Sequence, residues 1–116
     1  MRDLLLQGAG VLGLVVAFVH GLLGETKVFA NARIEPPQLR RLLRLVWHCG
    51  AVAWAAVAIL LIACPWMNSD RARLAIVCAA VVTYGSAAAA NAWATRGRHF
   101  GWAALLAVTG LAIGGL

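Results

Sequence analysis

Three histidines and one glutamate are the residues of this chain whose types could do chemistry together. His20, His48 and His99 lie near the polar ends of hydrophobic runs, and Glu25 follows the first histidine by five positions. Imidazole binds zinc, copper, iron and haem iron, and a carboxylate can complete such a set. The four residues therefore form a candidate three-histidine, one-carboxylate site for a transition metal (Zn, Cu or Fe) or haem.

The spacing of these residues matches no local metal-binding motif, so separate segments must bring them together. Two other interpretations stay open. His20, His48 and Asn91 could only hydrogen-bond between helices, as in a structural or accessory subunit of a larger membrane complex. Glu25 and the histidines could instead exchange protons in a small ion-coupled transporter, which at this size would need to form an oligomer. No phosphate loop, nucleophile elbow or dinucleotide fingerprint is present, which argues against an enzyme.

The segments that carry these residues are apolar enough for a lipid bilayer. The 116-residue chain is 63% hydrophobic and 12% charged, and its mean hydropathy is +0.85. A soluble domain is typically about 45–50% apolar and about 25% charged. Four runs approach the roughly 20 apolar residues of a spanning helix. We therefore predict one all-α domain over residues 1–116, an integral membrane antiparallel four-helix bundle, with helices at about 5–25, 37–64, 72–95 and 99–116.

Basic residues predict the orientation of this domain. Seven lie in the two links that follow the first and third runs, and three lie on the opposite side. The seven are Lys27, Arg33, Arg40, Arg41, Arg44, Arg96 and Arg98; the three are Arg2, Arg71 and Arg73. The positive-inside rule places both links in the cytoplasm and both termini outside it. The net charge of +6 does not indicate nucleic-acid binding, because no basic face carries interleaved aromatic residues.

The expected partners are the bilayer itself and other membrane chains. Arg40, Arg41 and Arg44 line the first turns of the second helix, where we expect them to meet lipid phosphate. In the first run, Gly13, Ala17 and Gly24 fall on one stripe, and small residues let helices approach closely in lipid. This stripe predicts close helix packing and is compatible with a homo-oligomer or a membrane-protein partner.

Depth arithmetic places the candidate site at the cytoplasmic end of the bundle. With a rise of about 1.5 Å per residue, His20 lies roughly 9 Å inside the edge, His48 and Asn91 lie roughly 6 Å inside, and His99 and Glu25 lie at the edge. On a straight helix Glu25 points about 140° away from His20, so it joins the site only if the helix unwinds at Gly24.

Three further residues are expected to support the site. Tyr84 and Asn91 share one stripe of the third helix, together with Ala88, and are expected to pack or hydrogen-bond between helices. Cys49 follows His48 directly and could add a soft ligand.

Short segments of the chain resemble those of small four-helix proteins of the bacterial inner membrane. They are HGLLGE (20–25), the pair Trp47-His48, and RGRHFGW (96–102); that family shows H-S-x-L-G-E, W-H and R-G-R-H-P-G-W-like segments. Gly21 stands where the family has Ser, and Phe100 where it has Pro. The resemblance implies the four-helix inner-membrane topology and draws attention to His20, Glu25, His48 and His99. It implies no activity, because the family has none assigned.

Overall fold

Local start and stop signals set the bounds of the helices. The computed structural model describes all residues from 1 to 116 and contains four main helices: α1 (Arg2–Leu23), α2 (Pro37–Ala63), α3 (Asp70–Thr95) and α4 (Gly101–Gly114). Proline suits the first turn of a helix, where its missing N–H is not needed, and Pro37 begins α2. The Ser69 hydroxyl accepts a hydrogen bond from the Ala72 N–H at 3.3 Å and caps α3.

The ends of α2 and α3 are also set by local signals in the sequence. Cys64–Met67, which contains Pro65, forms a 3₁₀ turn after α2. Arg96 and Gly97 have φ values of 52° and 73°, and this left-handed geometry stops α3. Thus both breaks follow from a proline or a glycine at the place where the sequence predicts a turn.

The all-α prediction is confirmed, since the chain contains no strand. Three helical segments are long and apolar enough to cross a membrane: Arg2–Asn31, Pro37–Met67 and Asp70–Thr95. The fourth helix has 14 residues. The predicted bounds differ from the observed ones by a few residues. Helix α1 starts early because the polar residues Arg2 and Asp3 continue the helix beyond the apolar run.

Helix α1 does not unwind at Gly24. It continues through a π-helical turn, Gly24–Val28, and a further helical turn, Phe29–Asn31. A π turn closes wider i→i+5 rings and is rare in proteins. A Cβ atom on Gly24 would collide with the indole of Trp47. Gly24 is therefore needed for the close approach of Trp47, and the helix changes its winding there without breaking.

The four helices pack as a closed ring. Helix α1 contacts α2 and α4, and α3 contacts α4 and, less extensively, α2. The residues of the small-residue stripe, Gly13, Ala17 and Gly24, are all buried, and so is Gly10. A Cβ atom on Gly10 would lie 2.5 Å from the carbonyl oxygen of Ala58. The backbones of α1 and α2 can approach this closely only because these positions lack larger side chains.

An arginine ties three helix ends together at one end of the ring. Arg73 Nη2 donates to Asp3 Oδ1 at 2.6 Å, and Arg73 Nη1 donates to the Gly115 carbonyl at 3.0 Å. These bonds join the starts of α1 and α3 to the end of α4. The candidate site residues lie toward the other end.

Candidate functional site

Two consecutive residues of α2 divide the candidate site into two parts. Trp47 packs against His20 and Gly24 of α1, whereas His48 contacts Glu25 and lies near Gly21. His20 and Gly24 are four residues apart and therefore lie on one stripe of the helix. Gly21 and Glu25 are also four residues apart and form a second stripe, which is offset from the first by about 100°. The side chains of His20 and His48 therefore end in different surroundings.

The first part is an ionic cluster formed by Glu25, Arg44 and His48. Arg44 Nε donates to Glu25 Oε1 at 2.7 Å, and Arg44 Nη2 lies 2.7 Å from Glu25 Oε2. His48 Nε2 lies 2.5 Å from Glu25 Oε1. This two-point pairing of guanidinium and carboxylate is the strong, geometrically specific form of the interaction. Both carboxylate oxygens are thus occupied by the protein's own donors.

The second part is a cavity of about 270 Å³ between α1 and α4, which we call the histidine cavity. Its walls are mostly apolar, with contributions from residues such as Val15, Val16 and Leu105. The residues that give it polarity or aromatic character are His20, Trp54, Asn91, His99 and Phe100. A largely apolar cavity with a few polar groups is the usual form of a small-molecule site.

His20 enters this cavity as a ring held between two indoles. Its imidazole is stacked on Trp47, with ring centroids 4.1 Å apart and planes 4° from parallel. Trp54 lies against it at 4.5 Å with a 43° tilt. The Trp47 indole N–H also donates to the His20 carbonyl at 2.9 Å. The position of the His20 ring is therefore fixed by aromatic packing.

Asn91 and His99 are two further polar residues in the wall of the histidine cavity. Asn91 Oδ1 is buried and has no hydrogen-bond partner. His99 Nδ1 accepts the backbone N–H of Gly101 at 3.1 Å, so a neutral His99 ring carries its proton on Nε2. The same bond satisfies a free donor at the start of α4.

The structure does not gather the predicted metal-ligand set. His20 and His99 line the histidine cavity, whereas Glu25 and His48 belong to the ionic cluster. No group of three or more histidine, cysteine, aspartate or glutamate residues lies where it could hold a metal ion. The division arises because Trp47 and His48 are consecutive on α2, so that His48 meets Glu25 while Trp47 packs against His20. Metal or haem binding at these four residues stays a prediction that this arrangement does not support.

The supporting residues have separate roles. Tyr84 is fully buried, and its hydroxyl donates to the Trp54 carbonyl at 2.7 Å, a hydrogen bond from α3 to α2. Asn91 lies in the wall of the histidine cavity. Cys49 is exposed and belongs to neither part of the site.

Two of the three arginines predicted to meet lipid phosphate bond within the protein. Arg40 donates to the Phe29 carbonyl, and Arg44 pairs with Glu25. Arg41 is exposed, and contact of Arg41 with lipid phosphate stays a prediction. The pairing of Arg44 has a signal in the sequence, because Glu25 and Arg44 carry opposite charges and both lie at the predicted cytoplasmic ends of their helices.

Sequence reasoning missed the two tryptophans that shape the site. A tryptophan near the end of a hydrophobic run, such as Trp47, predicts a position at the membrane interface, and no sequence motif singles out Trp54. The two residues are seven positions apart, which places them about 20° apart on a helix. That spacing is the signal that could have identified one aromatic stripe facing α1.

No protein-family model, curated protein or solved structure matches this chain.

Proposed function

We propose that this chain is an integral membrane protein whose four helices cross the bacterial inner membrane as an antiparallel bundle, with both termini outside the cytoplasm. Three long apolar helices support this proposal. So does the outer surface, where Phe18, Val52 and Val82 are 73%, 70% and 69% exposed. Lipid covers such side chains at no cost in hydrophobic free energy. Helix α4 spans about 21 Å, and a thinner bilayer or flanking polar side chains compensate for its shortness.

Within this membrane protein, the proposed function is to bind a small lipid-soluble molecule in the histidine cavity. The observation that carries the proposal is the histidine cavity itself, which is mostly apolar and has the polar side chains of His20, Asn91 and His99 in its wall. An unpaired polar group away from water is costly, and polar groups inside membranes are usually functional or paired. A ligand that hydrogen-bonds to the polar side chains of the wall lowers this cost.

The size of the cavity suits such a molecule. An apolar cavity of about 150 Å³ in an engineered protein binds benzene, and the histidine cavity measures about 270 Å³. It therefore has room for one ring with a short tail or for two fused rings.

The position of the cavity favours entry from the bilayer. Val15 of α1 and Phe100 at the start of α4 both line it, and they are 53% and 66% exposed. The cavity thus reaches the outer surface between apolar residues. A ligand dissolved in lipid could enter there without crossing a polar barrier.

Blocking the cavity tests the proposed function. Ala104 lines the cavity, whereas its neighbour Ala103 is exposed and does not. We would purify the wild type, Ala104→Phe and Ala103→Phe in parallel and identify bound small molecules by solvent extraction and mass spectrometry. A compound retained by the wild type and Ala103→Phe, but depleted in Ala104→Phe, supports the proposal. The same profile in all three proteins contradicts it.

A further inference from the structure

We infer that a groove on the outer surface, between α1 and α2, holds an acidic phospholipid, with one acyl chain along the groove and the phosphate beside Arg41 and Arg44. We call it the α1–α2 groove. This inference rests on the proposed position of the protein in a membrane. It does not rest on the histidine cavity, which lies on the opposite face of α1.

The α1–α2 groove is mostly apolar and has the form that a linear chain requires. It encloses about 530 Å³. The small residues Ala17, Gly21 and Ala51 form its bottom, since Ala17 is buried and the other two are half-buried. Larger exposed residues stand at its sides: Phe18, Leu22 and Val52. An acyl chain in this groove gains dispersion contacts with both helices.

Two arginines extend the line of the groove toward the start of α2. One series of residues follows at intervals of three or four: Arg41, Arg44, His48, Ala51 and Ala55. Residues at this spacing share one face of a helix, and the last three of the series line the groove. At about 1.5 Å per residue, Arg44 lies roughly 6 Å and Arg41 roughly 10 Å beyond His48 along the axis. Both guanidinium groups thus belong to the polar end of the groove.

This end of the groove carries unbalanced positive charge. Both oxygens of the Glu25 carboxylate are occupied by Arg44 and His48, so Arg44 already balances the charge of Glu25. Arg41 is exposed and has no ion-pair partner. A phosphate complements this charge, and arginine binds phosphate through charge-assisted hydrogen bonds. The proposed orientation also places this end in the cytoplasmic leaflet, where acidic lipids create a negative surface potential.

A second copy of the chain complements the groove less well than a lipid does. Two copies that cross a membrane in the same direction pair about an axis along the membrane normal, and such a contact uses the same surface of both copies. Pairing through the groove would bring the arginines of the two copies to the same level, where like charges repel. An acidic phospholipid brings the opposite charge instead.

Two phospholipids with the same acyl chains test the headgroup. Dioleoyl phosphatidylglycerol is acidic, whereas dioleoyl phosphatidylcholine has no net charge. Each is added in increasing amounts to the full chain in detergent micelles, and native mass spectrometry measures the fraction of protein with one bound lipid. One arginine near a membrane surface changes the affinity for acidic lipid by about fivefold. We therefore expect phosphatidylglycerol to bind at least about fivefold more tightly than phosphatidylcholine.

Arg41→Gln tests the positive end of the groove. It should lower the affinity for phosphatidylglycerol by about fivefold and leave the affinity for phosphatidylcholine unchanged. Arg71→Gln is the control, because it removes the same charge from an exposed residue without an ion pair at the start of α3. It should keep the wild-type affinities. Equal losses in the two variants would mean that net charge alone attracts the lipid, which overturns the inference.

Gly21→Leu tests the apolar part of the groove. A Cβ atom at position 21 would meet only His48 Nδ1, at 3.9 Å, so a leucine has room there and fills the groove. Both phospholipids should bind more weakly. Gly8→Leu is the control, because a Cβ atom at position 8 meets nothing within 4 Å and Gly8 lies outside the groove. Helical circular dichroism confirms that each variant is folded, and if Gly21→Leu does not fold, the headgroup comparison and Arg41→Gln decide the question.

Three further outcomes overturn the inference. The first is equal affinity of the wild type for the two phospholipids. The second is undiminished binding of phosphatidylglycerol to folded Gly21→Leu. The third is a lipid-free dimer of the wild type that Gly21→Leu disperses, because a second copy then covers the groove. None of them affects the histidine cavity, which the comparison of Ala104→Phe with Ala103→Phe tests separately.

Discussion

The imidazole of His20 and the indole of Trp47 lie face to face, with ring centroids 4.1 Å apart. Trp54 packs against the same imidazole, so two aromatic contacts set where His20 points. Each aromatic pair contributes about 0.5–1.5 kcal/mol beyond the area it buries. The role of the His20 ring is therefore at least partly structural.

A phenylalanine at position 20 should preserve much of this structural role. We expect His20→Ala to lower the free energy of unfolding by roughly 1–3 kcal/mol, since both aromatic pairs are lost. His20→Phe should lower it by less, because a ring remains between the indoles. Detergent-induced unfolding followed by circular dichroism measures both values. Equal destabilisation by Ala and Phe would show that the imidazole nitrogens, and not the ring, hold the position.

The tight contact between Gly24 and Trp47 should make position 24 intolerant of any side chain. A Cβ atom there would lie 2.6 Å from Trp47 Cδ1. Overpacking of this kind typically costs 1–3 kcal/mol, so we expect Gly24→Ala to destabilise the protein by about that amount.

Gly50→Ala is the control for Gly24→Ala. Nothing lies within 4 Å of a Cβ atom at position 50, and Gly50 is inside α2. Alanine is favoured over glycine in a helix by roughly 0.5–1 kcal/mol. The same unfolding assay should therefore show a small gain for Gly50→Ala, and a loss equal to that of Gly24→Ala would contradict the packing argument.

The Glu25–Arg44 pair should show a favourable coupling that salt weakens. A double-mutant cycle with Glu25→Gln and Arg44→Met isolates the pairwise contribution to the free energy of unfolding. Both side chains are partly exposed, so added salt should reduce the coupling. Glu35→Gln, at an exposed residue without an ion pair, should show no coupling with Arg44→Met. A coupling unchanged by salt would mean that the pair is shielded from solvent ions.

The proposed topology gives a direct test by fusion reporters. Alkaline phosphatase is active only outside the cytoplasm, and green fluorescent protein is fluorescent only inside it when exported in an unfolded form. A phosphatase fused after Leu116 should be active, and the fluorescent protein fused there should be dark. Fusions in the link after α1, near Arg33, should give the opposite pattern. The reverse result would invert the orientation that the positive-inside rule gives.

The division of the histidines predicts that they do not act together on a metal. Elemental analysis and a visible absorption spectrum of detergent-purified protein should show no metal whose content depends on both His48 and His99. His48→Ala and His99→Ala are therefore expected to leave the metal content unchanged. A stoichiometric metal lost in both variants would restore the four-residue site predicted from the sequence.

The helices could be predicted because their signals are local. Pro37, Ser69 and Gly97 each start or stop a helix through their own backbone or side-chain chemistry. The stripe of Tyr84 and Asn91 also follows from helical periodicity alone. Such features need no knowledge of what packs against them.

The site could be predicted only in part, because its geometry depends on contacts between helices. Depth and charge were enough to bring Glu25, His48 and His99 to attention. They could not show that Trp47 would cover His20, or that the π turn after Leu23 would leave Glu25 beside Arg44 and His48. These outcomes depend on how the Trp47 indole packs over Gly24. A helical wheel of one segment gives no information about its contacts with another helix.

Trp47 and His48 are joined by one peptide bond, so the histidine cavity and the ionic cluster are both held by the same turn of α2. One residue braces the imidazole at the cavity wall, and the next holds the carboxylate of the ionic cluster. A rigid shift of α2 along its axis therefore displaces Trp47 from His20 and His48 from Glu25 in the same movement.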